Sequence, residues 1–112
     1  LYDITRFEVK AGQPVKLEFI NPDATPHNLV IVKPGTGESV GLAATRMAAD
    51  PVQAKSGQYI PKTDNVLFHT KMVPPIAGET LRFLAPKEPG NYPYICTFPG
   101  HWTIMKGVMV VK

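Results

Sequence analysis

Twelve prolines and nine glycines divide this 112-residue chain into short stretches, and that punctuation constrains the fold strongly. Proline ends or kinks a helix, and clustered Pro and Gly mark turns. Such spacing favours an all-β architecture over a helical bundle. The apolar pattern between the breaks agrees. Phe7 and Val9 alternate with polar neighbours, as do Val15, Leu17 and Phe19, with Ala11-Gly12-Gln13-Pro14 between the two runs. Period two on both sides of a turn is the signature of half-buried strands. Asn28-Leu29-Val30-Ile31-Val32 is almost wholly apolar, as expected of a strand covered on both faces, and Pro34-Gly35 ends it. Val66–Phe68, Thr80–Leu84 after an Ala77-Gly78 turn, Asn91–Cys96 and Val108–Val111 read as further strands.

Residues 36–62 behave differently. Val40–Ala49 is rich in alanine, Ser39 is a candidate N-cap, and Asp50-Pro51 either stops the helix or starts a second turn of it. A short helical flap inserted between strands is the expectation. Together the segments predict a single domain over residues 1–112, a Greek-key β-sandwich of about seven or eight strands. The length suffices for one modest core.

Composition excludes several classes. With 44% apolar and 19% charged residues the chain is globular rather than disordered. Its net charge of +3 comes from scattered lysines and arginines, with no basic stripe interleaved with aromatics, so nucleic acid is not expected as a partner. No apolar run approaches the roughly 20 residues that span a bilayer as a helix. A single cysteine forms no internal disulfide. The start at Leu1, without a signal peptide, reads as a processed form or an excised domain.

That cysteine opens the segment that carries chemistry. Cys96-Thr97-Phe98-Pro99-Gly100-His101 runs on to Met105, a C-x4-H-x3-M spacing, and His27 begins a distant strand. Each residue alone has a bland reading: a lone cysteine is usually a small buried hydrophobe, a lone histidine structural, a methionine before a strand core. One thiolate, two imidazoles and one thioether together form the donor set of a blue-copper electron-transfer site. The residues Cys96, His101 and Met105 share one loop between two strands, and His27 can approach from a neighbouring loop. Two rival readings remain. A copper carrier or store would use exchange-prone ligands, often rich in methionine or cysteine. A cysteine-nucleophile enzyme needs an orienting third group and an oxyanion site, for which only Asn28 stands near.

The loop Cys96–His101 followed by Met105-Lys106-Gly107 resembles the copper loop of the azurin-like cupredoxins, in its four-residue Cys-to-His spacing. His27-Asn28-Leu29 resembles their first-histidine motif. Tyr59, Pro61, Val66 and His69-Thr70-Lys71 resemble the stretch after their helical flap, and the likeness is dense from residue 56 onward. The resemblance implies one copper ion in a type 1 site, with His27, Cys96 and His101 as strong ligands and Met105 as the weak axial one. It places the Pro26 carbonyl beside the metal. It makes Asn28 a tie between its own loop and the cysteine loop through Thr97. His69 corresponds to a surface residue, not a ligand. It further implies an electron carrier rather than an enzyme. Such a carrier would be a periplasmic or otherwise extracytoplasmic monomer serving redox protein partners (a cytochrome, an oxidoreductase or a fused redox domain). Phe98, Pro99, Trp102 and Ile104 would form an apolar docking patch around His101, unless Trp102 folds onto the sandwich rim. The chain lacks the two further cysteines of the usual azurin disulfide, a staple the helical flap would have to replace.

Overall fold

The computed structural model describes residues 1–112. The chain forms strands β1 (Arg6–Val9), β2 (Pro14–Asn21) and β3 (Val30–Val32), helices α1 (Gly37–Met47) and α2 (Pro51–Ser56), and strands β4 (Val66–His69), β5 (Ala77–Leu84), β6 (Gly90–Ile95) and β7 (Lys106–Val111). Five strands make one sheet in the order β1-β7-β6-β3-β4, and β2 pairs with β5 in a second. β1 runs parallel to β7, and all other pairings are antiparallel. Consecutive strands repeatedly change sheet, so the two layers are sewn together by their connections.

Side-chain alternation decides what each face meets. Phe19 of β2 joins Ile31, Tyr92, Tyr94, Met109 and Val111 in the core between the sheets, with Leu17, Phe68 and Phe83 packed at its edge. Phe68 and Phe83 stack at 4.3 Å, linking β4 of the large sheet to β5 of the small one. The continuous apolar run of β3 is explained by its two environments. Ile31 faces the inter-sheet core. Val30 and Val32 form a second cluster with Val40 of α1 and Ile95 of β6. The helical insertion thus covers the outer face of the large sheet.

Two local expectations are corrected. Ser39 is not the cap of α1: it lies in the first turn and its hydroxyl donates to the Thr36 carbonyl at 3.0 Å, while Thr36 occupies the cap position. Of the two readings of Asp50-Pro51, the second holds in the form of a separate helix: the Asp50 carboxylate accepts from Gln53 N–H at 3.3 Å and Pro51 opens α2. Ala77-Gly78 is not a turn but the start of β5, paired with Asn21 and Ile20. The reversal comes earlier, at Pro74-Pro75-Ile76, where prolines cannot donate to a ladder and Ile76 takes φ +59°.

Tyr94 is the keystone of the core beneath the cysteine loop. It is 1% exposed, its hydroxyl donates to the Ile4 carbonyl at 2.6 Å, and its ring lies opposite Gly107 in the β6–β7 pairing. A Cβ on Gly107 would fall 2.4 Å from the Tyr94 ring. Gly107→Ala is therefore expected to cost about 1–3 kcal/mol through overpacking. A urea denaturation midpoint equal to that of the wild type would contradict this packing.

Candidate metal centre

The C-x4-H-x3-M spacing resolves into two successive turns. The first is closed by His101 N–H donating to the Phe98 carbonyl at 3.0 Å. Pro99 and Gly100 (φ +83°) fill its central positions, as a type II turn requires. The second turn is closed by Met105 N–H donating to the His101 carbonyl at 2.8 Å. Cys96 N–H donates to the Met105 carbonyl at 3.1 Å and shuts the loop at its base. The chain therefore leaves β6 at Cys96, turns twice and re-enters the sheet at Lys106, with all three donor residues on one short loop.

His27 arrives from the other side. Its backbone exchanges two hydrogen bonds with Val73, at 3.1 Å and 2.7 Å. Its Nδ1 lies 3.9 Å from Cys96 Sγ, and His101 Nδ1 lies 3.6 Å from the same sulfur. The donor atoms of His27, Cys96 and His101 all fall within 4.8 Å of one another. An ion held about 2.3 Å from sulfur and about 2.0 Å from nitrogen, with bonds roughly 120° apart, would separate S from N by about 3.7 Å. The observed spacing fits a single ion among the three. Met105 is buried beside them on the same loop, and Pro26 is half-buried directly before His27.

Two side chains lock the loops together. The Asn28 amide donates to Thr97 Oγ1 at 2.7 Å, and Thr97 N–H donates back to Asn28 Oδ1 at 2.8 Å. Asn28 follows His27 and Thr97 follows Cys96, so this pair couples the His27 segment directly to the cysteine loop. Asn28 is fully buried and Thr97 is 2% exposed.

Burial sets the electrostatics. It pushes the Cys96 thiol above its ordinary value, and hydrogen bonds from the backbone N–H of Asn28 and Phe98 offset part of that rise. Burial also holds the His101 imidazole below its ordinary value, with the facing charge of His27 adding to the effect. Without metal the sulfur is thus a thiol and His101 keeps a free lone pair at neutral pH. Loading a cation releases the thiol proton. The one histidine not brought here is His69, which is exposed at the end of β4 with Nδ1 2.9 Å from the Thr70 carbonyl.

Around the mouth, Phe98 lies 4.9 Å from the His101 ring and 5.4 Å from Tyr59. Pro99 and Ile104 are exposed. Trp102 is half-buried: its indole lies against Gly41 of α1, and its Nε1 donates to Thr45 Oγ1 at 2.9 Å. Three residues of this neighbourhood escaped sequence reasoning. Gly41 is one. Tyr2, whose hydroxyl donates to the Asn28 carbonyl at 2.7 Å, is another, and it stands outside any periodic run. Its own hydroxyl is held well above the ordinary value, chiefly by burial and then by the charge of Cys96. Asp23 is the third: its carboxylate lies 2.9 Å from His27 Nε2, and the readable signal was its place four residues before the histidine.

The fold and the convergent donors define a β-sandwich copper protein. A family described as copper binding proteins of the plastocyanin/azurin family matches residues 1–112. Auracyanin-A of Chloroflexus aurantiacus is 34% identical over 99% of this chain and 67% of its own length. Auracyanin-B of the same organism is 34% identical over 96% of this chain, which spans only 45% of it. The solved structure of dithionite-reduced auracyanin from Roseiflexus castenholzii superposes with TM-score 0.85 at 38% identity, covering 99% of this chain and 86% of that one. The chain belongs to the plastocyanin/azurin family: it is a cupredoxin, a blue copper protein of the electron-carrying class.

Asn28→Ala strands two buried partners on Thr97 and should destabilise the metal-free protein by about 2–5 kcal/mol, measured by denaturant titration; an effect below 1 kcal/mol would mean the pair is dispensable. Gly41→Ala sets helix propensity, a gain of up to about 1 kcal/mol, against a Cβ placed 2.2 Å from the indole. Overpacking should prevail. Because Trp102 is the single tryptophan, its emission should shift to the red as the ring is expelled; unchanged emission with raised stability would refute the contact.

Proposed function

We propose that His27, Cys96 and His101 are the strong ligands of one type 1 copper site, and Met105 its weak axial ligand. The domain then carries single electrons between redox protein partners outside the cytoplasm. The observation that carries this reading is the convergence of one buried thiol and two imidazole nitrogens within 4.8 Å on a frame that is already hydrogen-bonded shut. Copper, when bound, supplies the one-electron couple. Everything else is the work of the chain. Cys96 and Met105 offer soft donors suited to the reduced ion, and the imidazoles suit either state. The Asn28–Thr97 bonds keep the two loops from moving apart when the charge of the site changes by one. Little then has to rearrange in either direction.

The two histidines divide the work. His27 is 6% exposed and fixed by its bridge to Val73, whereas His101 is half-buried at the surface. The exposed edge of His101 is the route for the electron. Phe98, Pro99 and Ile104 form the apolar rim on which a partner docks, and Trp102 braces that rim against α1. Exposed apolar residues clustered about one polar opening fit a transient protein contact. No helix in the chain is long and apolar enough to cross a membrane.

One equivalent of Cu(II) should give an intense thiolate-to-copper absorption and a paramagnetic signal with narrow copper hyperfine splitting. Cys96→Ser should abolish the band. Repeated reduction and oxidation should retain the metal. A pale protein with ordinary tetragonal copper signals would sink the ligand assignment, and loss of copper on each reduction would favour a carrier or store.

A further inference from the structure

We propose that Asp23 is a positioning residue for the buried ligand His27, selecting its ring tautomer and stabilising the oxidised site. A carboxylate accepts hydrogen bonds and donates none when ionised. At 2.9 Å from Asp23 Oδ2, His27 Nε2 therefore carries the proton and donates it. The lone pair is left on Nδ1, the nitrogen that faces Cys96 Sγ at 3.9 Å. A carboxylate behind a histidine ligand fixes the ring and raises its basicity toward the metal.

The loop is built to hold that carboxylate in place. Asn21, fully buried at the end of β2, accepts from Asp23 N–H at 2.9 Å and donates to the Thr25 carbonyl at 2.9 Å and the Val73 carbonyl at 3.0 Å. Val73 is also the backbone partner of His27. One buried amide thus sets both ends of the Asp23–His27 contact. These anchors use the backbone of Asp23, so replacing its side chain leaves the loop intact. The side chain is 48% exposed, which weakens the charge by screening without removing it. Negative charge behind an imidazole favours the higher oxidation state, so Asp23 lowers the reduction potential.

This inference rests on His27 being a ligand. The variants are Asp23→Asn, which keeps an acceptor but loses the charge, and Asp23→Ala, which loses both. Glu88→Gln is the control, removing one charge just before β6, whose far end carries Cys96. In metal-free wild-type protein, 15N-resolved ring spectra should show His27 protonated at Nε2, and Asp23→Ala should mix or invert the tautomers. Loss of such a partner costs roughly 10–100-fold in metal affinity. If that falls on Cu(II) alone, the Asp23→Ala potential rises by about 59 mV per tenfold, or about 59–118 mV. Asp23→Asn should rise by a smaller step, and Glu88→Gln should barely move. Potentials of Asp23→Asn and Glu88→Gln that coincide, or that fall, overturn the proposal. So does an Nδ1-protonated His27 in the wild type. A wild type that forms no blue site overturns the ligand reading and this one with it, whereas a blue wild type indifferent to Asp23 overturns this one alone.

Discussion

The pair of hydrogen bonds between Asn28 and Thr97 joins segments 69 residues apart in sequence, and the geometry of the centre depends on it. Each partner directly follows a donor residue, so the bonds act as a clasp between the His27 arm and the cysteine loop. The clasp is buried, and in such surroundings a half-made pair is worse than none, because each orphaned group keeps its desolvation cost. Breaking one of the two bonds is therefore disfavoured. No buried side-chain polar atom in the chain lacks a hydrogen-bond partner, so the clasp competes with no other unmet demand. The protein's own hydrogen bonds thus contribute to gathering the donors.

The same principle explains why the sandwich can hold a buried thiol and a buried imidazole together. Cys96 directly follows β6 and its N–H donates to the Met105 carbonyl, and His27 forms a bridge with Val73, so each has a backbone fixed by hydrogen bonds. Burial disfavours the thiolate, so the sulfur keeps its proton until a cation compensates the charge.

Much of this was legible in the chain. Period-two runs located β1 and β2 because each has one face on the core and one in solvent. The apolar run at Val30–Val32 was legible as a doubly covered strand, although only the structure shows that α1 supplies the second cover. The C-x4-H-x3-M spacing, with Pro99-Gly100 inside it, indicated a loop that could turn its donors inward. What escaped has physical causes. Gly41 was unremarkable in an alanine-rich helix, since its role lies in the missing Cβ that makes room for Trp102. Tyr2 reaches Asn28 from outside any strand, so no periodicity marks it. Asp23 belongs to no apolar pattern, and its charge became meaningful only when its loop was seen to lie behind His27. Ala77-Gly78 misled because glycine signals turns on average, whereas here the prolines just before it take that part and Gly78 pairs across from Ile20.

The chain has one cysteine and so no disulfide to brace the sandwich. A disulfide stabilises mainly by restricting the unfolded chain. The helical insertion acts on the folded state instead, and at a more useful place. Val40 closes the outer cluster over β3 and β6, the two strands that lead from His27 and into Cys96. Gly41 and Thr45, one turn apart on α1, receive the ring and the N–H of Trp102 from the middle of the cysteine loop. The helix thereby holds the base of the loop from beneath and its midpoint from the side, while Phe98, Pro99 and Ile104 remain outside that contact. A loop braced at these points can keep His101 in register with Cys96 and still leave the outer edge of the ring open. That combination of rigid donors and one exposed edge is what a protein needs if electrons are to cross its surface without the metal moving.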